Sequence, residues 1–393
     1  MGDALVALGG AFLAAGLLAR LGRRVGLPTI PFFMAAGILF GPATPGIVLV
    51  EHPEDLELLA TLGLIFLLFH LGLEFSMSDL AAGGRRLLAA GAVYLTLNVG
   101  GGLALGFAFG WGTREAFVIA GAVGISSSAI ATKLLVELKR LGNPESRLIL
   151  GIIVVEDVFL ALYLAALQPV LGQSDGIGSA LAEFGRAFGF LLLLAAVARF
   201  GARHVGRLVE SSDDELLTVC FIGVAILIAG VAEELGVSDA IGAFMAGVIL
   251  AESSAHKRIE RLVRPLRDAF AAIFFFAFGL TIDPGEIGDV AVPVAAAVAA
   301  TVVLNLLAGL LVARIHGFGA QAAANIGSTI LGRGEFSLIL ATFAAVAGLD
   351  ERIGPFVASY VLILAVGAPL LASRSSLLAR VYPERLLPER VEV

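Results

Sequence analysis

The chain has 393 residues, of which 59% are hydrophobic and only 15% are charged, and its formal net charge at pH 7 is −7. Soluble domains carry about 25% charged residues, so this composition excludes an ordinary water-soluble protein. The mean hydropathy of +0.97 indicates a membrane protein instead. Because Cys220 is the only cysteine, an intramolecular disulfide is excluded, and neither redox chemistry nor a thiolate metal site is supported.

A membrane-spanning helix needs about 20 mostly apolar residues, and thirteen segments of the chain approach this length. They are residues 3–20, 27–43, 56–76, 87–109, 114–137, 146–168, 180–199, 214–234, 237–251, 264–282, 290–313, 320–348 and 354–373. No basic segment precedes the first apolar run, so we expect a retained helix there and not a signal peptide. The tail at 374–393 is expected to be a short cytoplasmic segment, too small for a hydrophobic core.

Positively charged residues are distributed unevenly among the loops between these spans. Of the 26 Lys and Arg residues, 21 follow odd-numbered spans or lie in the tail, and three follow even-numbered spans. Cytoplasmic loops of membrane proteins are enriched in Lys and Arg. The distribution therefore predicts a cytoplasmic (inner) membrane protein with its N-terminus outside and its C-terminus in the cytoplasm. The remaining two, Lys133 and Arg333, lie within spans.

The fifth predicted span contains GISSSAIATK, in which Ser126, Ser127 and Ser128 follow shortly after Gly124. Irregular backbone at membrane depth is tolerated only beside protein or a water-filled cavity. We therefore expect an interrupted helix whose hydroxyl groups replace water around an ion. Small residues can equally serve close helix packing. Lys133, two turns further on, either extends to the interface or pairs with a carboxylate.

The sixth predicted span carries two adjacent carboxylates, Glu156 and Asp157, near its middle. An ionisable residue inside the bilayer costs about 2.5–3.5 kcal/mol on insertion scales and indicates a functional site by default. Adjacent residues of a helix point about 100° apart, so the two carboxylates face different neighbours. We expect one of them to bind a cation and the other to meet a charged partner. The alternative is a purely structural ion pair.

The twelfth predicted span, at about 30 residues, is longer than a membrane requires. At its centre Gly332 and Gly334 flank Arg333, and Glu335 follows. A glycine pair around a buried cation predicts a second unwound segment, with Arg333 and Glu335 as charge partners of the site. Interrupted helices in the two halves of a transporter indicate a binding site at the midplane. The interrupted fifth and twelfth spans do not match in position perfectly between the two halves, so an inverted repeat is a hypothesis at this point.

Other polar residues inside the spans have simpler interpretations. His70 in the third span is expected to be hydrogen-bonded within the structure and not to relay protons. Glu74, one turn later, is expected to reach interfacial water. Asn98, Asn305 and Asn325 are expected to bridge neighbouring helices.

These motifs resemble those of the monovalent cation:proton antiporter-2 family, of which the Kef proteins are a type. The matching segments are FLLFHLGLEF (66–75), SSSAIATKLL (126–135), ILGIIVVEDV (149–158), SDAIGAFMAGVILAES (238–253), IFFFAFGLTID (273–283) and GRGEFSLIL (332–340). The resemblance implies an all-α membrane fold of about thirteen helices, like NhaA and NapA, in a homodimer with interleaved core and dimerisation subdomains. It also implies that Asp157 binds the ion, and that Ser126 to Ser128 lie where the broken helices cross.

Two features depart from common patterns of that family. Its sodium antiporters carry Asp-Asp at the site and its Kef potassium-efflux type carries Gln-Asp, whereas this chain has Glu156-Asp157. The Kef type also ends in a nucleotide-binding regulatory domain, which we do not expect here. The chain most resembles a short potassium/proton antiporter type regulated by a separate cytosolic subunit with a TrkA-C-like domain. A partner of this kind is therefore implied.

The expected activity is exchange of a monovalent cation for a proton by alternating access, without a cofactor. Asp157 would hold K⁺ or Na⁺ and a proton in turn, with its pKa raised by burial and lowered by a nearby cation. Glu156 is expected to pair with Arg333 or Lys133 and to stay unprotonated, so that exchange is electroneutral. Oxygen ligands suit both metal ions, and the preference for K⁺ follows from the resemblance alone.

Three other transport functions share some of these features. A Na⁺/H⁺ antiporter of the same fold differs only in its ion, and a sodium-coupled solute symporter needs a roomier apolar cavity. A passive cation channel needs a continuous polar pore with a selectivity filter, and no repeated carbonyl-filter motif occurs in the sequence. An enzyme is not expected, because no catalytic triad, metal cluster or phosphate-binding loop stands out.

Overall fold

The computed structural model shows a helical chain. All regular secondary structure in the described part consists of α-helices, short 3₁₀ helices and one π-helical turn, which confirms the all-α class. The described residues are 2–24, 29–46, 48–74, 77–171, 185, 189, 193–194, 196–235, 239–382 and 387. The seventh predicted span, 180–199, lies largely outside them.

The helices are numbered in chain order within the described residues. The first seven are α1 (Gly2–Arg24), α2 (Ile30–Phe40), α3 (Glu57–Glu74), α4 (Met77–Phe109), α5 (Thr113–Gly124), α6 (Ser128–Glu137) and α7 (Pro144–Leu171). The next five are α8 (Ala202–Val209), α9 (Asp214–Glu234), α10 (Asp239–Ala251), α11 (His256–Leu280) and α12 (Ala291–His316). The last four are α13 (Ala320–Thr329), α14 (Glu335–Val346), α15 (Ile353–Ser373) and α16 (Ser375–Ala379).

Several of these helices have the length and composition of membrane spans. Within the described residues, six stretches qualify: Pro53–Glu74, Gly84–Phe109, Thr113–Glu137, Asp214–Glu234, Ala291–His316 and Ile353–Ser373. Three shorter apolar helices accompany them, namely α2, α10 and α14. The chain is thus a multi-pass helical protein, while the full count of thirteen spans stays a prediction.

Two of the predicted spans are each divided into two helices, at the Ser- and Gly-rich positions. The span predicted at 114–137 consists of α5 and α6, and residues 125–127 between them are not helical. The span predicted at 320–348 consists of α13 and α14, which are separated by residues 330–334. We call 125–127 the first break and 330–334 the second break.

The chain divides into two compact units. The first unit comprises Met1–Glu51, Ser78–Glu156 and Phe278–Val393, and it contains both breaks. Within it α13 packs against α12, and α14 packs against α5 and α15. The second unit comprises His52–Met77 and Asp157–Ala277, and within it α10 packs against α3 and α9.

Glycines set the closest helix contact of the second unit. A Cβ atom on Gly72 of α3 would collide with the carbonyl oxygen of Phe244, and one on Gly247 of α10 would collide with that of Phe69. Small residues of this kind let the backbones of membrane helices approach each other closely. Gly72 and Gly247 therefore lie at a close contact between α3 and α10.

Candidate ion-binding site

The two breaks meet inside the first unit. The backbone N–H of Ser127 donates to the carbonyl oxygen of Gly332 (2.9 Å), and the Ser127 hydroxyl donates to Glu335 Oε2 (3.0 Å). A Cβ atom on Gly332 would lie 2.7 Å from Ile130 Cγ2, and one on Gly334 would lie 2.7 Å from Ser127 Oγ. Since real Cβ contacts are longer, both glycines of the second break are needed for this approach.

Substitution of Gly334 by Ala should therefore weaken the contact between the breaks. The new methyl group would displace the Ser127 hydroxyl from Glu335, and overpacking of a core usually costs about 1–3 kcal/mol. We expect a lower melting temperature in detergent and slower exchange in proteoliposomes. Gly223→Ala in α9 is the matched control, because nothing lies within 4 Å of a Cβ atom at that position. Equal melting temperatures for the two variants would contradict the prediction.

The carboxylate of Glu156 is held at the first break. Its Oε1 accepts a hydrogen bond from Ser126 N (2.8 Å) and its Oε2 accepts one from the Ser126 hydroxyl (2.7 Å). The side chain is only 1% exposed, and it lies near the N-terminus of α6, where the helix dipole favours an anion. The structure thus differs from the predicted ion pair with Arg333 or Lys133. Lys133 instead lies 3.6 Å from Glu137, one turn along its own helix.

Arg333 occupies the second break and is fully buried. Its Nε donates to the carbonyl of Val123 (2.9 Å), and one terminal nitrogen donates to the carbonyls of Ile330 (3.1 Å) and Leu331 (3.0 Å). The other terminal nitrogen donates to Asn98 Oδ1 (3.2 Å). These carbonyls lie at the C-terminal ends of α5 and α13, where unsatisfied acceptors and the negative ends of the dipoles favour a cation. Arg333 is therefore a fixed positive charge for both broken ends.

Asparagine side chains bridge the helices around the breaks, as the sequence suggests. Asn305 of α12 donates to Asn98 Oδ1 of α4 (2.9 Å), and Asn325 of α13 donates to Glu145 Oε1 of α7 (2.6 Å). Sequence analysis missed Glu145, which is buried near the start of α7. It also missed Tyr94, whose buried hydroxyl donates to the carbonyl of Ile330 in the second break (3.0 Å). A lone tyrosine within an apolar span was the available signal.

Asp157 follows Glu156 on α7 and is partly buried. The two side chains leave the helix about 100° apart, so Asp157 does not share the direction of the carboxylate that is bonded to Ser126. Ser128, the third serine of the motif, begins α6 and is also partly buried. The structure thus brings together Ser126, Ser127, Glu156, Arg333 and Glu335. The assignment of Asp157 as the ion ligand stays a prediction.

Known proteins resemble this chain in sequence and in fold. The family model described as "Sodium/hydrogen exchanger, transmembrane" matches residues 10–374. The chain belongs to the sodium/hydrogen exchanger family. This exchanger is 39% identical to the K(+)/H(+) antiporter subunit KhtU of Bacillus subtilis over 95% of its own length and 93% of that protein. It is 28% identical to the Na(+)/H(+)-K(+) antiporter GerN of Bacillus cereus, with 86% and 87% coverage.

A solved structure supports the fold of this exchanger. The sodium proton antiporter MjNhaP1 of Methanocaldococcus jannaschii superposes with a TM-score of 0.69 over 96% of this chain and 99% of that one. At 15% sequence identity, this likeness concerns the fold alone. The resemblance to antiporters of the Kef type is confirmed by the sequence relatives, among which is a putative K(+) efflux antiporter KefB of Alkalimonas amylolytica, 30% identical over 87% of this chain and 52% of that protein. Because the family consists of transporters, the exchanger is not an enzyme.

Proposed function

We propose that this exchanger moves a monovalent cation, K⁺ first, across the cytoplasmic membrane in exchange for H⁺. The observation that carries the proposal is the meeting of two helix breaks at a buried carboxylate, with a second carboxylate next to it on α7. The relatives support the same conclusion, since KhtU is named a K⁺/H⁺ antiporter subunit and GerN a Na⁺/H⁺-K⁺ antiporter. The choice of K⁺ rests on the higher identity to KhtU.

The two carboxylates, Glu156 and Asp157, have different roles in this proposal. Glu156 already accepts two hydrogen bonds from Ser126, which stabilise its ionised form without a transported ion. Asp157 is then the carboxylate that binds a proton and a cation in turn. A proton and an alkali cation compete for it, because either one neutralises its charge and lowers the free energy of carrying it across a low-dielectric barrier. Arg333 and Glu335 keep their charges at the breaks throughout the cycle.

Coupling follows from this competition at one acid. Binding of the cation on one side releases the proton, and a change of access presents Asp157 to the other side. We propose that the access change is a movement of a core subdomain against a dimerisation subdomain, in an inverted-repeat fold of about thirteen helices. One cation replaces one proton, so no net charge crosses the membrane.

Ion fluxes in proteoliposomes test the proposed function. With purified exchanger and a pH-sensitive dye inside, we expect addition of K⁺ to dissipate an imposed proton gradient at a rate that an imposed membrane potential leaves unchanged. Empty liposomes are the control. A response to Na⁺ alone would favour the Na⁺/H⁺ alternative, and proton movement without any cation dependence would overturn antiport. Dependence on an organic solute would indicate a symporter, and K⁺ flux without counter-movement of protons would indicate a channel.

Two further features of the assembly are proposed. We expect a homodimer with N-termini outside, supported by the family fold and by the distribution of Lys and Arg. We also expect a separate cytosolic regulatory subunit with a TrkA-C-like domain, supported by the word "subunit" in the name of KhtU. Native mass measurement of the detergent-solubilised exchanger, alone and with such a subunit, tests both. A monomer that retains no added protein would contradict them.

A further inference from the structure

Two His-x₃-Glu pairs lie on neighbouring helices of the second unit. On α3 the pair is His70 and Glu74, and on α11 it is His256 and Glu260. Residues four apart lie on the same face of a helix, so each helix presents an imidazole beside a carboxylate. The helices pack directly, because the carbonyl oxygen of Phe270 on α11 lies against the backbone of α3.

Three of the four side chains converge, and the fourth, His256, lies beside one of them, Glu260. Ligand atoms of His70, Glu74 and Glu260 all lie within 4.8 Å of one another. The separation is 3.6 Å between His70 Nδ1 and Glu74 Oε1, and 3.9 Å between His256 Nε2 and Glu260 Oε2. A tetrahedral ion with bonds of about 2.0–2.1 Å keeps its ligand atoms about 3.4 Å apart. Small side-chain rotations would therefore bring the ligand atoms of His70, Glu74 and Glu260 to coordination distances, and a rotation of His256 would add a fourth ligand.

His256 supplies an independent observation. Its Nδ1 atom is buried and has no hydrogen-bond partner among the described residues. A buried imidazole nitrogen without a partner is unfavourable, because it has lost its contact with water. Coordination of a metal ion by this nitrogen, after a ring rotation, would give it a partner. His256 is therefore a candidate fourth ligand.

Two arginine side chains lie next to the cluster, and both would have to move away from it when a cation binds. One terminal nitrogen of Arg267 donates to His70 Nδ1 (3.1 Å), while the other is held by Asp268 (2.6 Å). Arg267 can therefore leave the imidazole and keep its carboxylate partner. Arg264, which pairs with Glu260 (2.6 Å), is 55% exposed and can turn into solvent. Donation by Arg267 also requires a lone pair on His70, so the ring is neutral, which is the form that binds metals.

We propose that these four residues form a binding site for a divalent transition-metal ion of the Zn²⁺ class. Two imidazole nitrogens and two carboxylates are a ligand set that Zn²⁺ accepts, whereas Mg²⁺ and Ca²⁺ prefer oxygen ligands alone. None of the four belongs to the proposed transport site, so the inference does not depend on the transported ion. A bound ion would join α3 to α11 and stabilise the second unit.

Direct binding measurements test the site. Full-length exchanger in detergent, freed of metal with a chelator, is titrated with Zn²⁺ by calorimetry, and its melting temperature is followed. We expect one Zn²⁺ per chain and a higher melting temperature with the ion, because ligands that bind the folded state stabilise it. Loss of even a supporting group costs about 10–100-fold in metal affinity. Glu74→Gln and Glu260→Gln should therefore each weaken binding by at least about 10-fold.

Control variants distinguish a specific Zn²⁺ site from non-specific binding of Zn²⁺. His52 and Glu54 form another His–Glu pair (3.2 Å) in which both side chains are about two-thirds exposed, and Glu54→Gln should leave Zn²⁺ binding unchanged. Glu74 is 53% exposed and Glu260 is 27% exposed, so their substitution by Gln is compatible with folding, which melting without metal checks. Absence of stoichiometric binding, or equal affinity in Glu74→Gln, Glu260→Gln and the unaltered chain, would overturn the proposal.

Discussion

Substitution of Asp157 by Asn is expected to reduce cation/proton exchange to the rate of empty liposomes. Asn has nearly the same shape as Asp, so the helix α7 should keep its packing. The Asn side chain has no negative charge to bind a cation and no titratable group to bind a proton, so it can carry neither ion. The measurement is dissipation of an imposed pH gradient after addition of K⁺, with the amount of reconstituted protein checked for each variant.

Glu156→Gln is the matched control, because it changes the adjacent carboxylate to an amide of similar size. The Gln oxygen can still accept from Ser126 N, and its amide nitrogen can donate to the Ser126 hydroxyl, so both contacts at the first break are preserved. We expect Glu156→Gln to retain exchange, in keeping with the Gln-Asp pattern of the Kef type. The opposite outcome, with Asp157→Asn active and Glu156→Gln inactive, would move the transported charge to Glu156.

The substitution with the largest expected effect on stability is Arg333→Met. It leaves the buried carbonyls of Val123 and Leu331 without their side-chain donor, while that of Ile330 keeps only Tyr94. Each buried acceptor that loses its partner costs about 1–3 kcal/mol, so the free energy of unfolding should fall by about 2 kcal/mol or more. The measurement is thermal unfolding in detergent, together with the fraction of monodisperse protein after purification.

Arg352→Met is the control for charge removal. Arg352 is 49% exposed and pairs with Asp350 at the surface, and such exposed pairs contribute about 0–1 kcal/mol. The double variant Glu156→Gln with Arg333→Met adds a second test. If Arg333 served mainly as a counter-charge for Glu156, the second substitution would restore stability. We expect no such rescue, because Arg333 donates its hydrogen bonds to carbonyl and amide oxygens. Restored stability would refute this assignment.

The breaks could be predicted from the sequence, and their contacts could not. Runs of Ser or Gly at membrane depth indicate unwound backbone, because a lipid-facing helix cannot lose its hydrogen bonds there. The partner of Glu156 depends on which N–H group the first break directs toward α7. That direction is a property of the assembled helices, which no local pattern contains. The sequence therefore indicated a carboxylate at this depth but not its hydrogen-bond donor, which is Ser126, where a pairing with Arg333 or Lys133 was expected.

Two further residues near the breaks, Tyr94 and Glu145, were not predicted from the sequence. Tyr94 counts as apolar when spans are located, and its role as a donor to the second break appears only once α4 lies beside Ile330. Glu145 was overlooked because it precedes the apolar stretch of its span, yet it is buried against Asn325. The Asn bridges were predictable, since an amide inside a membrane helix needs a partner from a neighbouring helix.

The charged side chains at the two breaks affect how tightly the site needs to bind a transported ion. Arg333 supplies the positive charge that two helix C-termini favour, and the carboxyl group of Glu156 lies at an N-terminus that favours a negative charge. The broken helix ends at these positions thus have side-chain partners without an alkali ion. In the proposed exchange, the ion is therefore not needed to hold the two breaks together. Weak and readily reversible ion binding is then sufficient, which suits the proposed transporter, because it must release its ion in every transport cycle.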